Sequence, residues 1–464
     1  MMSGTRRGDG GSVRAFALAM LLFAVAAAAI FIGARPGGAA IASPAAEGVH
    51  LGVASCSGTT CHGRQEADGK IVRQDELMRW QEPSSPGGAH SRAWQTLGEP
   101  RAQAIADRLG IGSATTSPLC LGCHSDDARQ RGPRFQLSDG VGCEACHGAA
   151  QGWLSSHYSV GASHAANIAR GMIPTDNPRA RAAVCLDCHY GSDRPGQFVD
   201  HRMMAAGHPR LSYELDLFTT LQQHHNEDAD YARRKGRTDN VRVWAVGQAM
   251  ALERALTLYT DRGQAGAFPE FYFFDCHSCH RRISDEADYR PSAVANPGRP
   301  IPPGTPPFQD ENIIMLVAAT RAAAPGLAQR LDDDSKAFHA ALARDRPSAI
   351  RAAARLKATA GALVAQFSGS AFSRAETFAI IDAVTTGAVT GRYTDYEGSV
   401  QAVMAADTLL NALVNAGSVG RDPATRIRAD IDIAYAAVRD PNDYRPQQFR
   451  AALGRASASI RALR

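Results

Sequence analysis

Cysteine placement constrains this chain more than any other feature. It has ten cysteines in 464 residues, and none stands alone. They form five pairs, each followed at once by histidine: Cys56/Cys61 with His62, Cys120/Cys123 with His124, Cys143/Cys146 with His147, Cys185/Cys188 with His189, and Cys276/Cys279 with His280. Four sites read C-x-x-C-H ("CLGCH", "CEACH", "CLDCH", "CHSCH"). The first reads "CSGTTCH", with four residues between its sulfurs. Disulfides do not require a histidine after every second cysteine, and zinc sites are built from paired motifs.

C-x-x-C-H is the attachment signal for c-type haem. Two thiols add to the two vinyl groups of the porphyrin, so their spacing must match the macrocycle edge. The next residue offers its imidazole to the iron. Covalent attachment holds a large cofactor without a deep pocket, so little protein carries many haems. Five haem c groups are expected, and the lengthened first motif bulges to place both sulfurs.

Ten of the fifteen histidines lie outside these proximal positions: His50, His90, His157, His164, His201, His208, His224, His225, His277 and His339. A six-coordinate electron-transfer haem needs a second axial ligand, and histidine gives a lower potential than methionine. His90 starts a segment with helical periodicity. His157 follows His147 by ten residues. His201 and His208 are seven apart and share a face if their stretch is helical. His224 and His225 are adjacent and point different ways, so one ligates. His277 sits inside a haem motif and does not reach that motif's iron. His339 reads as a surface residue. His50 and His164 are open between ligand and solvent.

The stretches "CSGTTCHG", "HSRAWQTL", "CLGCH", "GVGCEACHG…HYS", "AGHPRLSYEL" and "FDCHSCHR" resemble the multihaem cytochrome c-554 family, within a group that includes hydroxylamine oxidoreductase and pentahaem nitrite reductase. The likeness covers roughly residues 50–285. It implies distal ligands at His90, serving a later haem, at His157, capping the first haem, and at His208. "HHNEDADYARRKG" resembles a segment in related pentahaem proteins and favours His224 over His225. His201 completes the set, and either His201 or His164 stands against the second motif, whose haem lacks a distal ligand in the four-haem relatives. The chain departs from these relatives in its fifth motif and in having no C-x-x-C-K, so their enzymatic activity does not transfer.

The first forty-two residues read as a signal peptide: Arg6, Arg7 and Arg14, an apolar run Ala15–Ala34, and an A-x-A-like site at Ala40–Ala42. Cleavage is favoured over a membrane anchor through residues 15–34. The expected location is periplasmic or otherwise exported. The formal charge of +4 is too small to indicate nucleic-acid binding.

Residues 47–290 read as the pentahaem domain. A 23-residue step from His124 to His147 brings those two sites close together. A long helix is expected from Asn240 to Arg262, with Val243, Val246, Ala249, Met250, Leu256 and Tyr259 at helical spacing. Trp80, Trp94, Trp153 and Trp244 are either porphyrin-packing or core residues. Seven prolines make residues 291–310 a linker. Residues 311–464 are Ala-rich and read as four to six antiparallel helices packed as a bundle. The fold class is therefore mainly α: a multihaem c-type cytochrome domain with little regular sheet, then a helical bundle.

Five haems bring ten propionates, for which Arg92, Arg202, Arg210 and the run Arg233–Arg237 are natural counterions. The function expected is electron transfer between periplasmic or membrane-bound redox proteins, and no catalytic residue is singled out. The alternative is an oxidoreductase acting on a small nitrogen or sulfur oxyanion at one five-coordinate haem.

Overall fold

Short elements carry the first half of the chain, where glycines and prolines punctuate the helical runs. The computed structural model describes residues 48–262, 270–280, 301, 305–390 and 396–464. The expected signal segment and most of the Pro-rich linker lie outside the described residues. Among the described residues one strand pair is present, with β1 (Val49–His50) parallel to β2 (Gln130–Arg131) and Val49 opposite Gln130. The mainly α fold class is borne out.

Among the short helices, α1 (Pro100–Leu109), α2 (Pro118–His124), α3 (Cys143–His147) and α4 (Pro178–His189) lead into or contain the motifs. Proline at the first position of α2 and α4 fixes φ where no N–H is needed. Asn177 caps α4 by accepting from the Arg179 N–H. Helix α5 (His201–Ala205) begins at Asp200, whose carboxylate accepts from the Met203 N–H. Helix α6 (Leu215–Leu221) is capped by the buried Glu214.

Helix α7 has the bounds its periodicity predicts, Asn240–Arg262. It is buried nearly all round, with Trp244, Leu256 and Tyr259 at 1 % exposure or less, so Trp244 is a core residue. On one side it packs against α4 and α6. The helices that follow residue 310 are α8 (Glu311–Ala323), α9 (Pro325–Leu342), α10 (Arg346–Ser368), α11 (Arg374–Val389), α12 (Tyr396–Asn415), α13 (Arg421–Ala437) and α14 (Pro446–Arg461), and on its other side α7 packs against α8, α10 and α12.

That is seven helices, more than the four to six expected. Two of them, α13 and α14, are rich in arginine and expose polar faces. They bury Ile427, Ile431 and Ala434, and Phe449, Leu453, Ala456 and Ile460, at helical spacing. One hydrophobic core runs from Phe198 and Tyr272 through α7 into this bundle. No helix of the described residues is long and apolar enough to cross a membrane.

His339 departs from expectation. It lies on α9 beside Phe338, is 1 % exposed, and stands 3.6 Å from Asp310. Its Nδ1–H donates to the Ser335 carbonyl at 2.9 Å. It is a core histidine rather than a surface one.

Candidate functional site

Three of the five motifs use a single turn of α-helix to gather their groups. In α2, α3 and α4 the two cysteines are three apart and the histidine is four past the first, so all three lie on one face. The first motif bulges as its spacing requires. The Cys61 N–H donates to the Gly58 carbonyl, and the His62 N–H reaches back to the Cys56 carbonyl. The ten cysteines are all described, and none is in a disulfide.

The fifth motif is built differently from the three in α2, α3 and α4, and Cys279 is where it differs. Asp275 caps a short 3₁₀ turn, Cys276–Ser278, in place of an α-helical one. That turn ends before Cys279, whose N–H donates to the Cys276 carbonyl at 3.2 Å. Cys279 is therefore exposed, whereas Cys276 is half-buried. Cys61, in the lengthened first motif, is the other exposed cysteine. A thioether bond requires reach to a vinyl group, not burial, so both residues keep the chemistry of attachment.

Each motif histidine faces a second histidine from far along the chain. The ring centres are 6.4 Å apart for His62 and His157, 6.2 Å for His90 and His189, and 6.4 Å for His124 and His208. They are 6.4 Å apart for His147 and His224, and 6.0 Å for His201 and His280. A metal–imidazole bond is about 2 Å long and the ring centre lies about 1 Å beyond the nitrogen, so two imidazoles on opposite sides of one metal stand about 6 Å apart. The five separations fit one iron each.

Backbone carbonyls orient several of these rings. Nδ1 of His124 donates to the Ala93 carbonyl at 2.9 Å, that of His208 to the Pro209 carbonyl at 2.7 Å, and that of His157 to the Leu154 carbonyl at 2.5 Å. His224 does the same with the Gln222 carbonyl at 3.3 Å. A carbonyl only accepts, so Nδ1 carries the proton and Nε2 is left with a lone pair for a metal. His62 donates to the buried Glu76 carboxylate at 3.0 Å instead. Burial pushes His147 and His189 down to about 4, which keeps both rings neutral and able to ligate.

The structure also sorts the histidines that sequence left open. His208, not His201 or His164, faces the second motif. His201 faces the fifth. They do not share a helix face, because α5 stops at Ala205 and Gly207 follows at φ +112°, which turns the chain away. His164 is exposed and lies 3.4 Å from Asp176. His50 contacts Asp126 at 2.8 Å, beside the buried Glu144. His277 Nε2 donates to the Pro441 carbonyl at 2.6 Å and points away from its own motif. His225 lies 5.9 Å from His147, with its ring 4.3 Å from His224.

The motifs adjoin in pairs. Cys56 neighbours Cys143, and this interaction first, with burial, pushes the Cys143 thiol well above its usual range. Cys123 does the same to Cys188. Burial first, and then the neighbouring Cys185, pushes Cys146 up to about 12. The second, third and fourth motifs open on one cavity of about 650 Å³, bounded by Cys123, His124, Cys146, Cys185, Cys188 and His189, with His90 and His208 opposite. Gly122 lets two of these sites approach. Its carbonyl accepts from Gln197 Nε2 at 2.8 Å, and a Cβ there would stand 2.6 Å from the Gly196 carbonyl oxygen.

The sulfur pairs, the imidazole after each and the second imidazole opposite make a donor set suited to covalent haem. Residues 55–148, which span the first three motifs, match the family described as Cytochrome c554 and c-prime. Over that stretch, about a fifth of its length, the chain is similar to this family of c-type cytochromes. No curated protein and no solved structure matches it. Cys185/Cys188 with His189 and Cys276/Cys279 with His280 lie beyond the matched stretch.

The arginines expected as counterions have protein acceptors. Arg92 donates to the Glu82 and Ser85 carbonyls and Arg202 to the Leu109 carbonyl. Arg233 and Arg234 pair with Asp230, and Arg210 pairs with Glu397. Trp153 packs edge-on against His157 with ring centres 5.4 Å apart. Sequence reasoning missed Glu76 and Glu397, since a lone glutamate outside a motif gives no signal.

Proposed function

We propose that this cytochrome is an exported pentahaem electron-transfer protein in which every haem has two histidine ligands. Haem c supplies one-electron exchange at an iron that neither gains nor loses ligands. The ten cysteines bind it. The proximal and distal pairs are His62 with His157, His124 with His208, His147 with His224, His189 with His90, and His280 with His201. The carbonyls of Ala93, Leu154, Pro209 and Gln222, with Glu76, orient these rings. The observation that carries the reading is the recurrence of one ring separation, 6.0–6.4 Å, at all five motifs.

Adjacent attachment cysteines support an order of neighbouring sites: first beside third, third beside fourth, fourth beside second. Sites in contact through their attachment points suit transfer along a series. Partners of this kind, exported or membrane-bound redox proteins, are met through small transient interfaces. Residues 1–42 act as the export signal, which N-terminal sequencing of the mature protein tests.

Intact mass gives the haem count, and electron paramagnetic resonance gives the ligation. Five haems and a wholly low-spin spectrum are expected. A high-spin fraction that binds nitric oxide would overturn full bis-histidine ligation and favour the oxyanion oxidoreductase.

A further inference from the structure

The fifth motif is built against the C-terminal bundle. His277, inside it, donates to the Pro441 carbonyl and lies among Tyr396 and Tyr444, with ring centres 5.4 and 6.0 Å away. A buried ion pair completes the junction. Arg210 Nε stands 2.7 Å from Glu397 Oε1, and both side chains are about nine-tenths buried. Glu397 belongs to the first turn of α12. The same guanidinium lies over the Tyr272 ring at 4.7 Å and donates to the Tyr272 carbonyl at 3.0 Å. Tyr272 lies four residues before Cys276, an attachment sulfur of the fifth site.

A fixed charge in a dry interior acts at full strength on a neighbouring redox centre, because little water screens it. A cation beside an iron favours the reduced state, and an anion favours the oxidised one. Arg210 and Glu397 oppose one another at this spot, so their balance matters more than either alone. We propose that Arg210, held and partly neutralised by Glu397 of the bundle, sets the reduction potential of the fifth haem. The bundle then has a redox role, since it supplies the counter-charge. This rests on the proposed ligation of the fifth haem by His280 and His201.

Spectroelectrochemical titration of the full haem-loaded protein tests it. His201→Met marks the fifth component, since methionine ligation raises a potential. Glu397→Gln leaves the Arg210 charge uncompensated and raises that component. Arg210→Gln removes the cation and lowers it. Each change is expected to be about tenfold in the oxidised-to-reduced ratio, or about 59 mV for one electron. The double variant returns close to wild type. Glu397→Asp withdraws the carboxylate without deleting it; its smaller rise keeps the test readable if Glu397→Gln does not hold five haems.

Shifts of the same sign in the two single variants would indicate a merely structural disturbance and overturn the proposal, as would no shift. If His201→Met moves no component, the assignment of His201 fails first and the inference falls with it.

Discussion

Glu76 Oε2 lies 3.0 Å from Nδ1 of His62, and the carboxylate is buried. A buried carboxylate on the outer nitrogen of a metal-bound imidazole raises its basicity and fixes its orientation. That favours the oxidised iron. Glu76→Gln keeps the shape and removes the charge. The potential of the first haem is expected to rise by up to about 59 mV, a tenfold change for one electron. Redox titration checks this, and an unmoved first component would rule out the role given to Glu76.

His224 and His225 compete for one position opposite His147. His224 stands at the separation shared by the other pairs and has its Nδ1 tied to the Gln222 carbonyl. His225 has its Nδ1 4.0 Å from Glu76 instead. His224→Ala is expected to give a high-spin haem signal, while His225→Ala leaves the spectrum low-spin. The reverse pattern would exchange their assignments.

Gly122→Ala tests the contact between the second and fourth motifs. The new methyl group would meet the Gly196 carbonyl oxygen at 2.6 Å, and that atom is backbone. Overpacking of this kind costs about 1–3 kcal/mol. Thermal unfolding should report a loss of that size, together with reduced haem content at both motifs by peptide mapping. Full stability and loading would show that residues 196–197 move freely.

The His50–Asp126 contact makes stability pH-dependent. Burial works against a charge on His50, but Asp126, backed by Glu144 and Asp127, outweighs it and raises the pKa above its ordinary 6.5. The folded protein therefore binds this proton more tightly than the unfolded chain. The stabilisation is complete below about pH 6.5 and is lost as pH rises through the higher folded value. Asp126→Asn should flatten the fall in melting temperature between pH 6 and 9 relative to wild type. Parallel curves for the two proteins would refute the linkage.

The sites were legible where chemistry demands linear spacing. Porphyrin attachment needs two thiols and an imidazole within one turn, so sequence alone marks Cys120, Cys123 and His124. The same spacing at Cys276 and Cys279 did not reveal a 3₁₀ turn or an exposed Cys279, because C-x-x-C-H fixes residue types and not the winding between them. The distal set was legible only as a pool narrowed by family resemblance. Its pairing was not, because His62 and His157 meet through a fold rather than a motif. The turn between His201 and His208 had a local signal: Gly207 and Pro209 flank His208 and both break helices. The buried state of His339 follows from its neighbour Phe338, whose i, i+7 relation to Leu331 marks the core face of α9. The long helix Asn240–Arg262 was legible because its apolar positions dominate twenty-three residues.

Helix α7 binds two neighbours by different chemistry. Its Arg254 grips Asp187 at 2.8 Å, inside the fourth motif, and its Gln248 joins Asn312 of α8 and Gln401 of α12. A shortened chain that ended at the prolines would leave Trp244 and its flank facing solvent, roughly as a beam stripped of its roof. The motif-bearing half and the C-terminal helices are therefore expected to melt in one transition, which calorimetry checks.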